Sequence, residues 1–565
     1  MCIPRAEHPN PQFEREHWLC LNGTWEFCKD SGNSGEARKL FAPSAAYPAE
    51  ITVPFCPQSR LSGVGDTEFL ASVWYRRTVN VTAAQLSGAV RLHIGACDYR
   101  TTVYVNGERV GDHRGGYVSF WFDVTEYLRA GENTLVIHAE DDERDPMIPR
   151  GKQSEEYYSH GCDYTRTTGI WQTVWLEFLP KTRIESFRLF PEIGGSLTVQ
   201  AVLCGAGELA ATAFYAGRPV GEARVVSAGG SETFTIGLDE VHLWEPGQGR
   251  LYDLVLTFGD DRVKSYFGLR SVCLDGYRFL INGKSVFQRL ILDQGFNPEG
   301  IYTSPTDAFL RGDIERAMAM GFNGARLHEK IFEPRFLYHA DRLGYLVWAE
   351  YPNWGLDHTR PESVYPLLHE WLEEVARDFN HPCVIGWCPF NETWDRDGRK
   401  QFDDVLRTVY RVTKALDPTR PCIDVSGGYH VETDIFDVHN YDQDPQSFKA
   451  NYDKLMQTGE LFDALGDRQH YELGLPTFVS EYGGIRWSKG DGWGYGNAPK
   501  TQAEFLARYR GLTEALLGNA RFFGFCYTQL TDVEQEQNGL YTYDRKPKFD
   551  PAVIRAINTQ KAAIE

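Results

Sequence analysis

After residue 272 the chain alternates short apolar segments with amphipathic stretches at helical spacing, and this change of period limits the possible folds strongly. Alternation of strands and helices is typical of parallel β/α units, and eight such units close into a barrel. The sequence therefore predicts a (β/α)8 barrel over residues 273–565. Its predicted strands are residues 286–292, 321–328, 345–350, 383–392, 421–426, 435–441, 476–482 and 521–529.

The first 272 residues predict β structure only. Residues 1–180 contain short aromatic and β-branched segments with alternation, which predicts an all-β sandwich, and Asn106-Gly107 between two of them predicts a hairpin turn. Residues 181–272 are rich in strand patterns and have the size of one immunoglobulin-like sandwich. In the barrel portion, Ser304-Pro305-Thr306-Asp307 predicts a helix start with proline at the first helical position.

Charge and composition exclude several classes of partner. The formal net charge of -20 argues against binding to nucleic-acid phosphates and to anionic membrane surfaces. The amino terminus lacks the pattern of a secretory signal, and no apolar run reaches the ~18 residues that cross a bilayer. The 12 cysteines are scattered singly, as in a reducing compartment. These features predict a cytoplasmic protein, while removal of an export signal stays open.

The predicted barrel strands become polar at their carboxyl ends, where active sites of such barrels lie. Glu392 follows an apolar strand directly, and Glu481 repeats this design in "PTFVSEYGG". Cleavage of a glycosidic bond requires one acid and a second carboxylate on the other side of the bond. Most of the 78 acidic residues are expected to form surface ion pairs or helix caps, but the strand-end position favours these two as a catalytic pair.

Other polar residues could support that pair. Asn391 is placed to hydrogen-bond a sugar hydroxyl, although a turn-forming asparagine would have the same position. Arg326 could keep Glu481 ionised, and Tyr441 could donate a hydrogen bond to it. An ordinary barrel ion pair and a buried tyrosine explain these two residues equally well on local evidence.

Three further residues are candidates with less support. Glu350 is the best rival carboxylate, and Trp354 or Trp487 could form a wall on which a sugar stacks. Metal-binding and phosphate-binding signatures are lacking: "HEKIF" at 328–332 has no second histidine, and no phosphate loop is present. We therefore expect no metal and no cofactor.

Four segments resemble glycoside hydrolase family 2, which contains β-galactosidases, β-glucuronidases and β-mannosidases. They are "YTRTTGIWQTVWLE" (164–177), "GFNGARLHEKIFEPRFLYHADRLGYLVWAE" (321–350), "HPCVIGWCPFNETW" (381–394) and "PTFVSEYGG" (476–484). The resemblance implies a sugar-binding jelly roll, an immunoglobulin-like sandwich and a barrel. It also implies that Glu392 is the acid/base, Glu481 the nucleophile and Asn391 the partner of the sugar 2-hydroxyl, with retention of configuration at the terminal sugar.

The chain departs from the family pattern at three places. Many members carry Arg-x-Ser-His-Tyr-Pro after strand two, whereas here the segment 326–330 is "RLHEK", which puts a sugar contact by His328 in doubt. Tyr527 stands where a tryptophan platform is usual. Glucuronidases of the family use an Asn-x-Lys element, but residues 536–539 are "EQNG", and Glu534 and Glu536 would repel a uronate.

These departures favour a neutral terminal sugar. The sequence predicts a retaining exo-glycosidase for a β-D-galactosyl residue, with an α-L-arabinoside second and β-mannoside or β-glucoside open; a β-glucuronide is disfavoured. A non-catalytic carbohydrate-binding protein and a transglycosylase are the alternatives from other classes. A glycoside is the expected partner, and association with further copies of the chain stays open.

Overall fold

The computed structural model describes residues 3–466, 468–488 and 490–565. Two β-sandwiches are followed by a parallel barrel, so the predicted fold class is confirmed. The domain boundaries at residues 180 and 272 stay predictions. Among the helices of the described chain, none combines the length and the apolarity that crossing a membrane requires.

The first sandwich, here called the jelly roll, has a six-stranded and a four-stranded antiparallel sheet. The sheet orders are β3-β2-β4-β10-β7-β8 and β1-β12-β5-β9, with a short pair β6-β11 beside them, and apolar side chains such as Trp25, Leu92 and Ile137 fill the core. Its elements are β1 (Trp18–Cys20), β2 (Gly23–Lys29), β3 (Ala49–Val53), β4 (Ser72–Val81), β5 (Ala89–Ile94), β6 (Cys97–Asp98), β7 (Arg100–Val105), β8 (Glu108–Arg114), β9 (Phe120–Asp123), a 3-10 helix (Thr125–Tyr127), β10 (Gly131–Glu140), β11 (Gly169–Ile170) and β12 (Val174–Leu179).

The predicted hairpin at Asn106-Gly107 is confirmed. Strands β7 and β8 pair antiparallel with Val105 opposite Glu108, which leaves two residues for the turn. Asn106 and Gly107 have φ angles of 53° and 86°. Two left-handed residues are what a turn matching the strand twist requires, and asparagine and glycine adopt that conformation most readily.

The second sandwich packs a three-stranded sheet, β13-β14-β17, on a four-stranded sheet, β16-β15-β18-β19. A small sheet, β20-β21-β22, then leads to the barrel. The strands are β13 (Arg183–Glu192), β14 (Ser196–Cys204), β15 (Gly207–Tyr215), β16 (Arg218–Ser227), β17 (Gly230–Gly237), β18 (Tyr252–Phe258), β19 (Asp261–Phe267), β20 (Val272–Asp275), β21 (Arg278–Ile281) and β22 (Lys284–Ser285).

The barrel sheet has parallel strands in the order β26-β25-β24-β23-β29-β28-β27. The strands are β23 (Gln288–Asp293), β24 (Gly324–Leu327), β25 (Leu346–Glu350), β26 (Val384–Cys388), β27 (Phe436–Asn440), β28 (Thr477–Gly483) and β29 (Phe522–Thr528). The helices are α1 (Asp307–Ala319), α2 (Pro334–Leu343), a 3-10 helix (Pro361–Ser363), α3 (Val364–Asp378), α4 (Asp403–Leu416), α5 (Pro445–Gln457), α6 (Gln502–Leu517) and α7 (Pro551–Asn558). The carboxyl ends of the strands meet at one mouth.

The fifth predicted strand, residues 421–426, is not a regular strand. On one side it makes backbone bonds to the β26 region, with Trp387 N–H donating to Pro421 O at 3.1 Å. On the side that faces β27, side-chain carboxylates take the place of backbone acceptors in the sheet. Asp434 accepts a hydrogen bond from Cys422 N–H, and Asp424 accepts one from Val425 N–H, both at 2.8 Å. This competition by side chains interrupts the sheet between β26 and β27.

Helix α1 begins two residues later than the sequence predicts. Thr306 has extended φ and ψ angles of -147° and 159°, and its hydroxyl accepts from Phe309 N–H at 3.2 Å. Thr306 is therefore the N-cap, and Pro305 lies before the helix. The Thr306 hydroxyl accepts a hydrogen bond from a backbone N–H of the first helical turn, which has no acceptor within the helix. The sequence-based prediction gives this capping role to Ser304.

A buried ion cluster joins the jelly roll to the second sandwich. The Arg15 guanidinium lies 2.8 Å from Asp261 Oδ1 and 2.9 Å from Glu177 Oε1. Their side chains are 4%, 2% and 6% exposed. Glu177 also contacts His93 Nε2 at 3.0 Å, whereas the buried Asp261 carboxylate depends on Arg15 to offset its loss of solvation.

We expect Arg15→Met to lower the free energy of unfolding by about 3–5 kcal/mol, because it leaves the buried Asp261 carboxylate without its cation, whereas Glu177 keeps its contact with His93 Nε2 at 3.0 Å. The measurement is urea denaturation followed by tryptophan fluorescence. The matched control is Arg224→Met, which breaks an exposed pair with Glu208 and should cost at most about 1 kcal/mol. Equal losses in the two variants would contradict the role of burial.

Candidate active site

Glu392 lies four residues beyond the end of β26 in a turn. Its φ is 43°, a left-handed conformation that costs a non-glycine residue about 1–2 kcal/mol. Its backbone N–H donates to Ser426 O at 2.8 Å, which holds the turn against residues 421–426. The carboxylate accepts from His439 Nδ1 at 2.7 Å, and the side chain is 33% exposed. Glu392 is thus fixed and still accessible.

Glu481 lies within β28 and is more deeply buried, at 4% exposure. One carboxylate oxygen accepts from Arg326 at 3.1 Å, and the other accepts from Tyr441 Oη–H at 2.5 Å. The two donors come from β24 and from the residue after β27, so three different strands determine the orientation of this carboxylate. Both contacts were among the sequence-based hypotheses.

The two glutamates face each other across the barrel mouth. One oxygen of each and a ring nitrogen of His439 all lie within 4.8 Å of one another. His439 Nδ1 is 2.7 Å from Glu392 and 3.4 Å from Glu481. Carboxyl groups about 5–5.5 Å apart are typical of enzymes that retain configuration, whereas inverting enzymes need more room for a water molecule. The spacing favours retention.

His439 bridges the pair, with Nδ1 facing both carboxylates. Burial opposes its charge, but Glu481 and the hydrogen bond to Glu392 raise the pKa of the imidazole above its usual range. The sequence places His439 among the polar strand ends but assigns it no role, since its proximity to both acids depends on the closed barrel. Metal binding by these three groups would require His439 Nδ1 to lose its proton and hence both of these contacts.

Arg326 connects the floor of the site. Its guanidinium donates to Glu350 at 2.5 Å, to Ser480 O at 2.7 Å and to Asn391 Oδ1 at 3.1 Å, besides Glu481. The residue is 2% exposed. A planar group with five donors suits such a crowded set of acceptors better than a lysine would.

Asn391 has one free donor. Its backbone N–H donates to Asn353 Oδ1 at 2.6 Å, and its own Oδ1 accepts from Arg326. The Nδ2 group is buried and has no hydrogen-bond partner among the described residues. An orphaned buried donor on the residue next to Glu392 is suited to a hydroxyl of a ligand.

Glu350 and His328 lie beneath the pair. Glu350 is completely buried, and its oxygens accept from Arg326 and contact His328 Nδ1 at 3.1 Å. His328 is itself 2% exposed and lies 3.9 Å from Glu481. Glu350 therefore holds Arg326, and His328 lies between Glu350 and Glu481.

Of the three predicted aromatic contacts, Trp354 lies beside the pair. Its Nε1–H donates to Asn391 O at 3.2 Å. Trp487 packs against Phe505 and Phe549, each 5.9 Å away between ring centroids. Tyr527 belongs to β29, and its side chain is fully buried against Tyr509 of helix α6. It therefore has no exposed face on which a sugar could stack.

The jelly roll contributes a cation that sequence reasoning missed. Lys152 lies in the connection between β10 and β11, with its Nζ 3.4 Å from the centroid of the Trp354 ring. Burial alone would lower its pKa, but Cys162, Glu392 and Glu329 raise it, so the amino group is charged. Within the described chain it forms no ion pair. Its only sequence signal is its position 12 residues before the segment that starts at Tyr164.

Glu534 and Glu536, the two acids expected to repel a uronate, accept hydrogen bonds from other groups of the protein. Glu536 accepts from Tyr164 Oη–H and from Asn538 Nδ2 at 2.9 Å, and burial raises its pKa. Glu534 accepts from Thr165 N–H at 3.2 Å. The electrostatic argument against an anionic sugar is therefore weaker than the sequence suggests.

Comparison with known proteins matches two parts of the chain to domains of one family. Residues 46–180 match the model for the sugar binding domain of glycosyl hydrolases family 2, and residues 275–561 match the model for the TIM barrel domain of the same family.

Individual relatives differ in their names. A β-glucuronidase of Paenibacillus borealis is 24% identical, over 95% of this chain and 96% of its own length. A β-galactosidase of Thermoanaerobacter pseudethanolicus is 28% identical over 62% of this chain, and the match spans about half (48%) of that protein. The β-glucuronidase of Ruminococcus gnavus, solved with D-glucuronic acid, has a TM-score of 0.81 at 18% identity, covering 99% of this chain and 100% of that one. This last likeness shows the fold.

Replacing His439 by Gln is expected to move the alkaline limb of the pH–kcat/KM profile to higher pH. Burial would raise the pKa of Glu392, but the hydrogen bond and charge of His439, with Lys152, lower it below its usual range. Without His439 the acid keeps its proton to higher pH. The profile is measured on an alkyl glycoside, whose leaving group needs an acid. His17→Gln, at an exposed site, is the control; an unchanged limb in the His439 variant would refute the coupling.

Proposed function

Because the chain belongs to glycoside hydrolase family 2, we propose that it removes a terminal β-linked sugar with retention of configuration. It is a glycoside hydrolase, and the observation that carries the finer proposal is the carboxylate pair Glu392 and Glu481, with oxygens within 4.8 Å. Glu481 is the buried member with two oriented donors, which suits a nucleophile. Glu392 is the accessible member, which suits an acid that meets the leaving group.

In the first step, Glu392 donates its proton to the glycosidic oxygen while a Glu481 oxygen attacks the anomeric carbon. The bond to the leaving group breaks, and a covalent glycosyl ester forms. In the second step, Glu392 takes a proton from water, and the resulting hydroxide displaces Glu481. Free sugar is released and both carboxyls return to their starting states.

The surrounding donors stabilise charge during these steps. Arg326 and Tyr441 bind the Glu481 carboxylate that leaves in the second step, and their preformed geometry reduces reorganisation. The free Asn391 Nδ2 donor belongs to an amide whose oxygen shares Arg326 with Glu481, and it would bind the sugar hydroxyl next to the reacting carbon.

For the sugar, we propose a β-D-glucuronide, in place of the β-galactoside that the sequence favours. Two features support this choice: Lys152 is a charged group without an ion-pair partner in the described chain, and Glu536 is held by hydrogen bonds. The full-length likeness to a β-glucuronidase agrees with it.

A β-D-galactoside is the second candidate. Residues 536–539 are Glu-Gln-Asn-Gly, so the Asn-x-Lys element expected for uronate binding is missing and Asn538 stands where its lysine would be. The β-galactosidase relative is also more similar in sequence than the β-glucuronidase of Paenibacillus borealis, at 28% against 24% identity. α-L-Arabinoside, β-mannoside and β-glucoside belong to the same test.

The test is nitrophenol release from 4-nitrophenyl β-D-glucuronide, β-D-galactoside, α-L-arabinosides, β-D-mannoside and β-D-glucoside by the purified protein. The proposal expects the highest kcat/KM with the glucuronide. Preference for a neutral glycoside would restore the sequence-based choice. If none of the five substrates releases nitrophenol, a carbohydrate-binding protein is favoured. If the sugar is transferred to an added alcohol, the protein is a transglycosylase.

Glu481→Gln should lower kcat by roughly 10⁴-fold or more, because the amide cannot form the glycosyl ester. Sugar binding, measured by calorimetry, should be nearly unchanged. Glu392→Gln should reduce turnover of an alkyl glycoside much more than turnover of a nitrophenyl glycoside, since nitrophenol leaves without an acid. Equal losses on both substrates would contradict the assignment of Glu392.

Lys152→Met should raise KM for the β-glucuronide about 10- to 100-fold, the worth of a charged hydrogen bond, and should change a β-galactoside little. Steady-state kinetics on both substrates measure this difference. Lys561→Met, at an exposed position, is the matched control. A similar loss on both substrates would show that Lys152 is structural.

A further inference from the structure

A cluster of two histidines and a glutamate lies where the jelly roll meets the barrel, and it is not used in the proposed reaction. His113 belongs to the edge strand β8. His369 and Glu373 lie one helical turn apart on α3, so they share a face of that helix. Within the described chain, none of the three forms a hydrogen bond or an ion pair with Glu392 or Glu481.

The donor atoms are spaced as ligands of one metal ion. His113 Nε2 is 3.0 Å from Glu373 Oε2, and His369 Nε2 is 3.9 Å from Glu373 Oε1. One donor atom from each residue lies within 4.8 Å of the other two. Ligands at about 2.0–2.1 Å from a tetrahedral zinc ion are roughly 3.3 Å apart, so small side-chain rotations complete the set.

The two sides of the cluster are held in register by other contacts. The His113 ring stacks on Phe120 at 3.9 Å and 11°, which limits its rotation. On α3, the buried Glu370 accepts from Tyr117 N–H at 2.6 Å and from Val118 N–H at 3.2 Å, which ties the loop after β8 to the helix. The metal ligands therefore project from a fixed interface.

The cluster is accessible to an ion. His369 and Glu373 side chains are 55% and 31% exposed. His369 lines a cleft of about 740 Å³, and the other two residues line a second cleft of about 540 Å³. No lysine or arginine within the described chain pairs with Glu373, so the carboxylate charge is available.

We propose that His113, His369 and Glu373 form a zinc site that links the jelly roll to the barrel. Two imidazoles and one carboxylate, with water as fourth ligand, are a usual zinc donor set, whereas Ca²⁺ and Mg²⁺ prefer oxygen ligands. Ligands from both structural units make zinc a removable clamp between them. Since zinc binds only the folded arrangement, it raises the temperature of unfolding.

The first experiment measures zinc content after the purified full-length protein is stripped with a chelator, loaded with ZnCl₂ and dialysed. The wild type should retain one zinc ion that is lost in His369→Ala and in Glu373→Gln, with affinity reduced by at least about 100-fold. His17→Ala controls for loss of an exposed histidine. His160→Ala controls for a second cluster of Glu155, His160 and Asp163.

The second readout is the thermal unfolding midpoint. Zinc should raise it in the wild type and in both histidine controls, and should leave it unchanged in His369→Ala and Glu373→Gln. Circular dichroism and unchanged glycoside turnover in these two variants confirm their fold. The proposal is overturned if the wild type retains no zinc, or if both variants retain it as the wild type does.

Discussion

One buried guanidinium determines the arrangement of the active site. Arg326 is 2% exposed and donates to groups from three neighbouring parts of the barrel mouth: Glu350, Glu481 and Asn391. Removing such a cation from water is costly, and the cost is offset only when most of its donors are bonded. Because each acceptor belongs to a different strand end, these strands must keep their relative positions. The Glu481 carboxylate, the turn that carries Glu392 and the Asn391 amide thus depend on the same group.

The electrostatics of the pair follow from what surrounds each acid. The Glu481 carboxylate accepts hydrogen bonds from the Arg326 guanidinium and the Tyr441 phenol. The Glu392 carboxylate accepts one from His439 and lies near Lys152. One oxygen of each acid and a ring nitrogen of His439 lie within 4.8 Å of one another, so the protonation of each group depends on the other two. The difference in burial matches the roles proposed for them: the enclosed carboxylate would attack, and the accessible one would exchange protons with the leaving group and with water.

The β-sandwiches contribute more than support. Lys152 reaches the barrel mouth from the jelly roll, and Tyr164 from the same region bonds Glu536 of a barrel loop. Helix α3 of the barrel also contacts the jelly roll directly. Its Glu370 accepts hydrogen bonds from backbone N–H groups of the jelly roll, beside the cluster of His113, His369 and Glu373. The proposed choice of substrate and the proposed zinc site therefore both depend on the junction between the parts of the chain.

The sequence by itself determined the fold class, seven barrel strands, the Asn106-Gly107 hairpin and the candidate pair of Glu392 and Glu481, because these depend on local period, turn chemistry and position after an apolar run. It predicted a regular strand at residues 421–426, where the Asp424 and Asp434 carboxylates compete for the backbone N–H groups. Only the tertiary structure placed His439 between the acids, moved Tyr527 behind the barrel wall, brought Lys152 to the site and united His113 with α3. These juxtapositions join residues far apart in the chain, and no local pattern encodes a distance that arises only when the barrel closes and the jelly roll packs on it.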